Sequence, residues 1–392
     1  MDVLHEPARA IAEGLRSLSS SLANVKAAHS LIVGKFNPPH EGHHFLIDTA
    51  ARSSRNVTVV VTGSEREAIP IATRVAWLRE AHVWFPHVTI IGAYDPHPVN
   101  YTDAAIWDLH ERIFRDAINQ TGITVPVDAV FTPAAYGPEL ARRFGAHLVN
   151  LGNSREPFFY SSSDIRRDPV THWDDMRPSV RGWMAKRVVV VGAESTGTTT
   201  LVKRLREEYR RRGGPYGLTQ WCREFGRDMS WIKLNKLRAE RALLDEPEPT
   251  MWDVEWSDKD FIDIVREQNR LEDEAAAVGG PLMLCDTDSW ASLVWQQRYL
   301  GHQTADVAAF SQHQPRALYI LTNHEGVDFE QDGVRDGEHV REQMTDMFRQ
   351  ALGEQKTPWI EVTGGDHEAR VRESVAAIDR VLAEPWRCGP TN

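Results

Sequence analysis

The sequence predicts an α/β protein built as two doubly wound parallel-sheet domains. Three observations carry that expectation. From His29 onward, short apolar runs rich in Val and Ile alternate with longer amphipathic stretches, the pattern of strands covered by helices on both faces. The alternation stops over a polar connector, 168–186, and then restarts. A chain of 392 residues also exceeds what one compact core holds.

Residues 1–28 read as a helix and a Ser-rich turn, "RSLSSSLANV", an N-terminal helical arm too short for a helix-turn-helix domain with its supporting helix. In the first domain, 29–167, "SLIVGKF" is a strand, followed by a helix from about Gly42 to Ser53. "NVTVVVTG" leads into "IATRVAWLREAH", and "HVTIIGAY" precedes the helical stretch "AAIWDLHERIFRDAI". "VDAVFTPA" leads to "YGPELARRFG", and "HLVNLG" follows. The connector "DPVTHWDDMRPSVRGWMAK" is polar, carries two prolines and lacks a strand pattern. The second domain, 187–392, opens with "RVVVVG", a loop, and a helix to about Arg212. "LTQWC", two longer helices and the strands "PLMLCD", "RALYILT" and "WIEVTG" complete it, with Ala242–Asp258 a Pro- and acid-rich surface loop.

Hydrophobic content of 41% and charged content of 26% are those of an ordinary globular protein. No apolar run approaches the roughly 20 residues of a membrane helix. The segment "MDVLHEPARAIAEGL" lacks the basic head and apolar body of a signal peptide, so a cytoplasmic chain with no membrane partner is expected. Cys222, Cys285 and Cys388 lie far apart without metal-ligand spacing, which argues against a disulfide framework or a zinc site. A net charge of −11 argues against a nucleic-acid partner while leaving room for local nucleotide pockets. A homo-oligomer remains open.

The first chemistry-bearing stretch runs Gly34-Lys35-Phe36-Asn37-Pro38-Pro39-His40-Glu41-Gly42-His43, between a strand and a helix. In an open α/β sheet, ligands bind at such carboxyl-end turns. Gly34 lets the backbone approach a ligand, and the prolines stiffen the turn. The helix start at Gly42 points free N–H groups and a positive dipole end at an anion. His40 and His43 lie on one side of the turn, where both can donate to phosphate oxygens, whereas His44 is incidental.

This G-x-F-x-P-x-H-x-G-H pattern resembles the signature of the nucleotidyltransferase superfamily, the adenylyltransferases that join ATP to a phosphorylated substrate and release pyrophosphate. Those enzymes carry a second motif of the form I-S-S-T-x-x-R, and Tyr160–Arg166 reads "YSSSDIR", with Ser163 for Thr and Tyr160 for the aliphatic residue. The resemblance implies a Rossmann-like domain in which the substrate phosphate attacks the α-phosphorus of ATP in line, without a covalent intermediate. It implies that His40 and His43 hold the phosphates, that Lys35 and Arg166 neutralise developing charge, and that Gly34, Phe36, Gly42, Ser161, Ser162 and Ser163 complete the ATP site. Mg²⁺ would bridge phosphate oxygens, held largely by nucleotide and water.

The second stretch, Val190–Leu201, "VVGAESTGTTTL", has the outline of a phosphate-cradling loop. Gly192 and Gly197 permit the backbone nest, with Glu194, Ser195, Thr196 and Thr200 around it, and Thr199 supplies a hydroxyl for Mg²⁺. Thr198 stands where such loops carry a lysine. "PLMLCDTD" ends a buried strand in acids, and Asp286 is the better metal-site residue of the pair.

An adenylyltransferase followed by a P-loop kinase resembles the NadR-type bifunctional proteins, nicotinamide-nucleotide adenylyltransferase plus ribosylnicotinamide kinase. The resemblance runs from Leu31 to about Leu382. It is carried by the connector (Asp168, Trp173, Pro178, Val180, Arg181), the G-x-E-S-T-G loop, "REFGRD", "DTD" and "DGVRDGEHVR". It implies phosphorylation of nicotinamide riboside with ATP and adenylylation of nicotinamide mononucleotide to NAD. Asn37 and Trp107 would contact the nicotinamide nucleotide, the indole stacking on the pyridinium at up to about 2 kcal/mol. Glu224, Arg227 and Asp288 would bind the riboside, with Glu224 or Asp288 taking a ribose hydroxyl or the attacking hydroxyl's proton. An ion pair between Glu224 and Arg227 within one helical turn is the competing reading. Arg335 and Arg341 would form a mobile cationic lid over the γ-phosphate, against the competing reading of a solvated charged loop.

Losing one transition-state contact costs on the order of 3 kcal/mol. Kinase activity is expected to persist with the lid arginines supplying the charge missing at Thr198, because Lys203 lies too far along the helix and faces solvent. Two rivals stand beside the two-activity reading: an adenylyltransferase with a weak or inactive kinase domain, and an NAD- or ATP-sensing regulatory protein.

Overall fold

The computed structural model describes residues 26–100, 102–151, 158, 160–333, 335 and 338–388. They form two compact units: the first runs to Val180 and includes 386–388, and the second is Arg181–Pro385. The expected arm over 1–28 lies almost entirely outside the described residues.

The first unit contains β1 (Ser30–Gly34), α1 (Glu41–Ser53), β2 (Val57–Gly63), α2 (Ile71–Ala81), β3 (Val88–Tyr94), α3 (Ala104–Gln120), β4 (Ala129–Phe131), α4 (Gly137–Phe144), β5 (His147–Val149) and α5 (Ser162–Arg167). The strands form one parallel sheet in the order β3-β2-β1-β4-β5. Continuous apolar strands fit because both faces are covered. Along β1, Leu31 and Val33 join Val60, Val130, Phe114 and Leu140 in one core, while Ile32 joins Val57, Val59, Leu46 and Ile47 in the other. Each large side chain so buried contributes roughly 1.5–3 kcal/mol. Strand order reverses at β1, so the crevice beyond its carboxyl end is the natural ligand position.

α6 (Pro178–Met184) follows a single 3₁₀ turn, Trp173–Asp175. The stretch read as a connector contains a short helix, and Lys186 already belongs to the next strand.

The second unit contains β6 (Lys186–Gly192), α7 (Thr198–Arg211), β7 (Gln220–Cys222), α8 (Phe225–Leu243), α9 (Asp258–Val278), β8 (Leu282–Asp286), α10 (Ala291–Leu300), α11 (Ala305–Ser311), β9 (Arg316–Thr322), α12 (Arg341–Glu354), β10 (Trp359–Val362) and α13 (His367–Ala383). Its parallel sheet runs β10-β9-β6-β8-β7, with β6 central. Val188, Val190, Leu284 and Ile320 pack against Leu201, Leu205 and Tyr209 of α7 and Ile378 of α13. That anchors the helix whose first turn faces the loop after β6.

Candidate active sites

In the first unit, both expected motifs meet at the carboxyl end of β1. After Gly34, Phe36 adopts a left-handed φ of 49°, the Asn37–Pro38 peptide is cis, and His40 becomes the N-cap of α1. His40 Nδ1 accepts from Gly42 N at 3.2 Å. An N-cap must accept, so Nδ1 carries no proton and Nε2–H is free to donate. A Cβ at Gly42 would lie 3.0 Å from His40 Cε1, so only glycine lets the ring fold over the helix start without displacement. His43 lies beside it, ring centroids 3.8 Å apart, with the Phe36 ring 4.8 Å from His43.

Burial, then His43 and His172, hold His40 well below the ordinary imidazole range; burial and His44 hold His43 at about 3. Both are therefore neutral hydrogen-bonding groups rather than cations at pH 7. Two buried polar atoms here have no partner among the described residues, His43 Nδ1 and Asn37 Oδ1. Unpaired buried polar atoms are costly, and ligand contact is one way such groups are satisfied.

The second motif is bonded directly to the first. Arg166 Nη1 donates to Asn37 O at 2.5 Å and Nη2 to Ser163 Oγ at 3.1 Å, and Ser162 Oγ donates to Pro38 O at 2.9 Å. Ser161 caps α5 in a reciprocal box with Asp164. Much of the hydroxyl capacity expected for a triphosphate is thus engaged in joining the motifs. Together they wall a cavity of about 1260 Å³, lined by Gly34, Lys35, Phe36, Asn37, His40, Gly42, His43, Ser161, Ser162, Ser163 and Arg166. Cys388 also lines it.

Lys35 Nζ is bound to Glu67 Oε1 at 2.6 Å, so its ammonium is paired within the unit. Buried Arg74 donates to Lys35 O, to Thr62 O at 2.8 Å and to Ile69 O at 2.9 Å, bracing the turn. Trp107 lines the cavity but is largely packed into the core, with the Arg143 guanidinium 5.6 Å from its ring centre. Next to it, His110 Nδ1 contacts Asp95 Oδ2 at 2.6 Å. Sequence reasoning missed Glu67, Arg74, Asp95 and His110, because none belongs to a spaced motif.

In the second unit the loop after β6 has the geometry its glycines require. A Cβ at Gly192 would lie 2.3 Å from Thr322 Oγ1, and Gly197 takes φ 87° at the start of α7. Thr196 Oγ1 contacts both Ala193 O and Thr322 Oγ1 at 2.7 Å. Arginines hold the loop from outside. Arg370, absent from the sequence reading, donates to Thr196 O and Asn323 O, both at 2.7 Å. Arg335 Nη1 reaches Ser195 Oγ at 3.2 Å.

Arg341 requires a correction. It is 3% exposed and donates to Ser195 O at 3.1 Å and Val327 O at 2.9 Å. With its Nη2 bound to three carbonyls, the buried guanidinium braces the loop and is not placed as an exposed lid cation. Lys203 is exposed, its Nζ 5.3 Å from the Trp221 ring centre.

Thr199 Oγ1 donates to Asp286 Oδ2, and Thr198 hydrogen-bonds the same carboxyl. Burial raises the Asp286 carboxyl above its ordinary range, with the two threonines pulling the other way. Burial, then Asp286 and Glu194, push Glu224 up to about 8. Three carboxyls, of Asp286, Glu194 and Glu224, therefore lie close enough to repel one another, and Thr200 follows on the first turn of α7. Arg227, whose pairing with Glu224 was the competing reading, forms its ion pair with Asp332, although its charge still acts to lower the Glu224 carboxyl. Asp288 also requires a correction. It is fully buried, accepting from Arg316 Nε and Tyr319 Oη at 2.8 Å and from Ala291 N at 2.9 Å, so its carboxylate serves the core rather than a riboside. Among the described residues no group of three His, Cys, Asp or Glu side chains is arranged to hold a metal ion. No described helix is long and apolar enough to cross a membrane.

Comparison with known proteins places names on both units. Residues 31–168 match the cytidylyltransferase-like family and 187–370 an AAA domain family. The chain is 22% identical over 390 residues to the trifunctional NAD biosynthesis/regulator protein NadR of Escherichia coli (strain K12), covering 94% of this chain and 87% of the relative. The Salmonella typhimurium NadR is 22% identical over 372 residues, covering 90% and 83%. A NadR crystal structure in complex with NAD and AMP-PNP superposes with a TM-score of 0.66 at 17% identity, covering 92% of this chain and 97% of that one. A NadR complex with NR gives 0.64 at 18% identity, covering 92% and 98%. The chain is NadR-like over nearly its whole length, and its first unit is a nucleotidyltransferase domain.

Proposed function

We propose that this chain makes NAD by two reactions, adenylylating nicotinamide mononucleotide in the first unit and phosphorylating nicotinamide riboside in the second. The observation that carries the reading is the joining of the two motifs, His40–His43 and Ser161–Arg166, around one cavity. In the first reaction a phosphate oxygen of the mononucleotide forms a bond to the α-phosphorus of ATP as the bond to the bridging oxygen breaks, and pyrophosphate leaves. His40 Nε2–H and His43 hydrogen-bond the phosphates, and Arg166 meets the charge that builds. The NadR relatives, whose structures hold NAD, AMP-PNP and NR, support the choice of pyridine nucleotide.

In the second reaction the riboside hydroxyl forms a bond to the γ-phosphorus of ATP as the bond to the bridging oxygen breaks, ADP leaves, and the hydroxyl proton passes to Glu224 in its ionised form. Thr199 and Asp286 would hold Mg²⁺, which screens the triphosphate charge. Thr198 favours a second reading, a slow kinase beside a competent adenylyltransferase, because the loop lacks a lysine cation.

Incubation with ATP, Mg²⁺ and either the mononucleotide or the riboside separates the readings. NAD from the first and mononucleotide from the second are expected, with His43→Ala lowering only NAD formation, by about 10²–10³. If neither product forms, the enzymatic reading is wrong and a nucleotide sensor takes its place.

A further inference from the structure

Beside Trp107 the cavity of the first unit holds an acid–imidazole pair that the adenylyl-transfer chemistry does not use. Asp95, just beyond β3, and His110, on α3, both line the cavity, and their side chains are 8% and 12% exposed. Asp95 Oδ2 lies 2.6 Å from His110 Nδ1, and its Oδ1 accepts from His97 N at 3.1 Å. The imidazole lies parallel to the Phe114 ring, with 10° between the planes, and edge-on to Trp107, centroids 6.2 Å apart. It is thus fixed in position and tautomer. With the carboxylate accepting at Nδ1, the neutral ring must carry its proton there and present a bare lone pair at Nε2. Nε2 has no hydrogen-bond partner among the described residues.

We infer that His110, held by Asp95, reads the substituent on the pyridine ring of the mononucleotide and selects a 3-carboxamide over a 3-carboxylate. This inference rests on the nicotinamide-nucleotide reading of the site, with the ring at Trp107. An acceptor lone pair matches the N–H of a carboxamide. The same lone pair repels a carboxylate, whose oxygens can only accept. The groups facing His110 are Asp95 and His97 from the loop after β3. Arg143 of α4, against Trp107, is already paired with Asp108, Glu111 and Glu139. None of these offers a competing unpaired cation for a carboxylate.

The test measures kcat/KM for nicotinamide mononucleotide and for nicotinate mononucleotide on the intact chain. The ribose phosphate and ATP are common to both reactions and cancel in the ratio. The amide-to-acid ratio is expected to exceed about tenfold, the worth of one hydrogen bond plus one avoided repulsion. In His110→Phe, which keeps the ring packing, the ratio should fall toward one. His97→Gln should keep the ratio. A ratio near one in the unaltered protein overturns the inference without needing any variant. So does a ratio that survives His110→Phe or is lost in His97→Gln. NAD formation with an unaffected ratio sinks only this inference, whereas no product from either mononucleotide sinks the adenylyltransferase reading as well.

Discussion

Asp286 and Asp288 show how one residue's conformation decides which acid reaches the site. Two positions apart, they would share a face if the strand ran on extended. Thr287 between them takes a left-handed φ of 63°, a conformation rare for a β-branched residue. The turn leaves Asp286 at Thr199 and sends Asp288 into the core beside Arg316 and Tyr319. No property of "DTD" as a string announces that reversal. Arg74 and Arg370 were unreadable for a related reason: a lone arginine in an amphipathic helix looks like surface until its carbonyl partners are known. Glu224 gives a prediction at this scale. Its carboxyl, pushed up to about 8 by burial, Asp286 and Glu194, binds its proton more tightly in the folded chain than in the unfolded one. The associated stability is fully present below the ordinary carboxyl range and is lost as pH rises through about 8. Glu224→Gln, a permanently neutral mimic, should raise Tm by a few degrees at pH 9 and leave it nearly unchanged at pH 4. If Glu224 takes the riboside proton, the same variant should lower riboside phosphorylation by about 10²–10⁴.

The strand–turn–helix units at the two glycine-containing turns were the most legible elements, because each combines a buried strand, a turn of fixed spacing and a helix start. The short helix Pro178–Met184 was not legible. Fewer than two turns leave no periodicity to detect, and its Gly182 is explained only by the backbone of Ala277, 3.3 Å from where a Cβ would stand. The loop after β6 yields the prediction for this scale. Its carbonyls at Ser195 and Thr196 are held by Arg341 and Arg370, so its shape does not depend on the residue at 198. Arg335, at Ser195 Oγ and paired with Asp332 at 3.4 Å, is the arginine proposed to meet phosphate charge. Thr198→Lys should therefore change riboside phosphorylation by less than about tenfold, whereas Arg335→Ala should lower it by about 10²–10³. A rise of several hundredfold in Thr198→Lys would mean that the natural loop is a weak catalyst. Arg370→Ala should instead destabilise the second unit by about 1–3 kcal/mol, by leaving two buried carbonyls unpaired, with loss of ATP binding visible by calorimetry.

At the scale of the molecule, the alternation of strands and helices marked two parallel sheets, and the structure has both. What the alternation could not show is that residues 386–388, after the last helix of the second unit, belong to the first. A segment that short has no pattern. Its membership appears only where Trp386 lies 6.3 Å from Trp173 and Cys388 lines the first cavity. A chain ending at Pro385 should therefore keep riboside phosphorylation, lose about tenfold or more in NAD formation, and show a lower Tm for the first unit alone. Equal NAD formation by the shortened and full chains would show that the segment is dispensable.

The placement of Trp386 and Cys388 also sets a timetable. A ribosome emits them only after all of Arg181–Pro385, a delay of roughly 10–40 s at 5–20 residues per second. The first cavity to be translated is thus the last to gain its full wall. If the proposed two reactions hold, a nascent chain interrupted after Pro385 would keep the second unit's chemistry while the first stays incomplete, so the mononucleotide would accumulate instead of NAD.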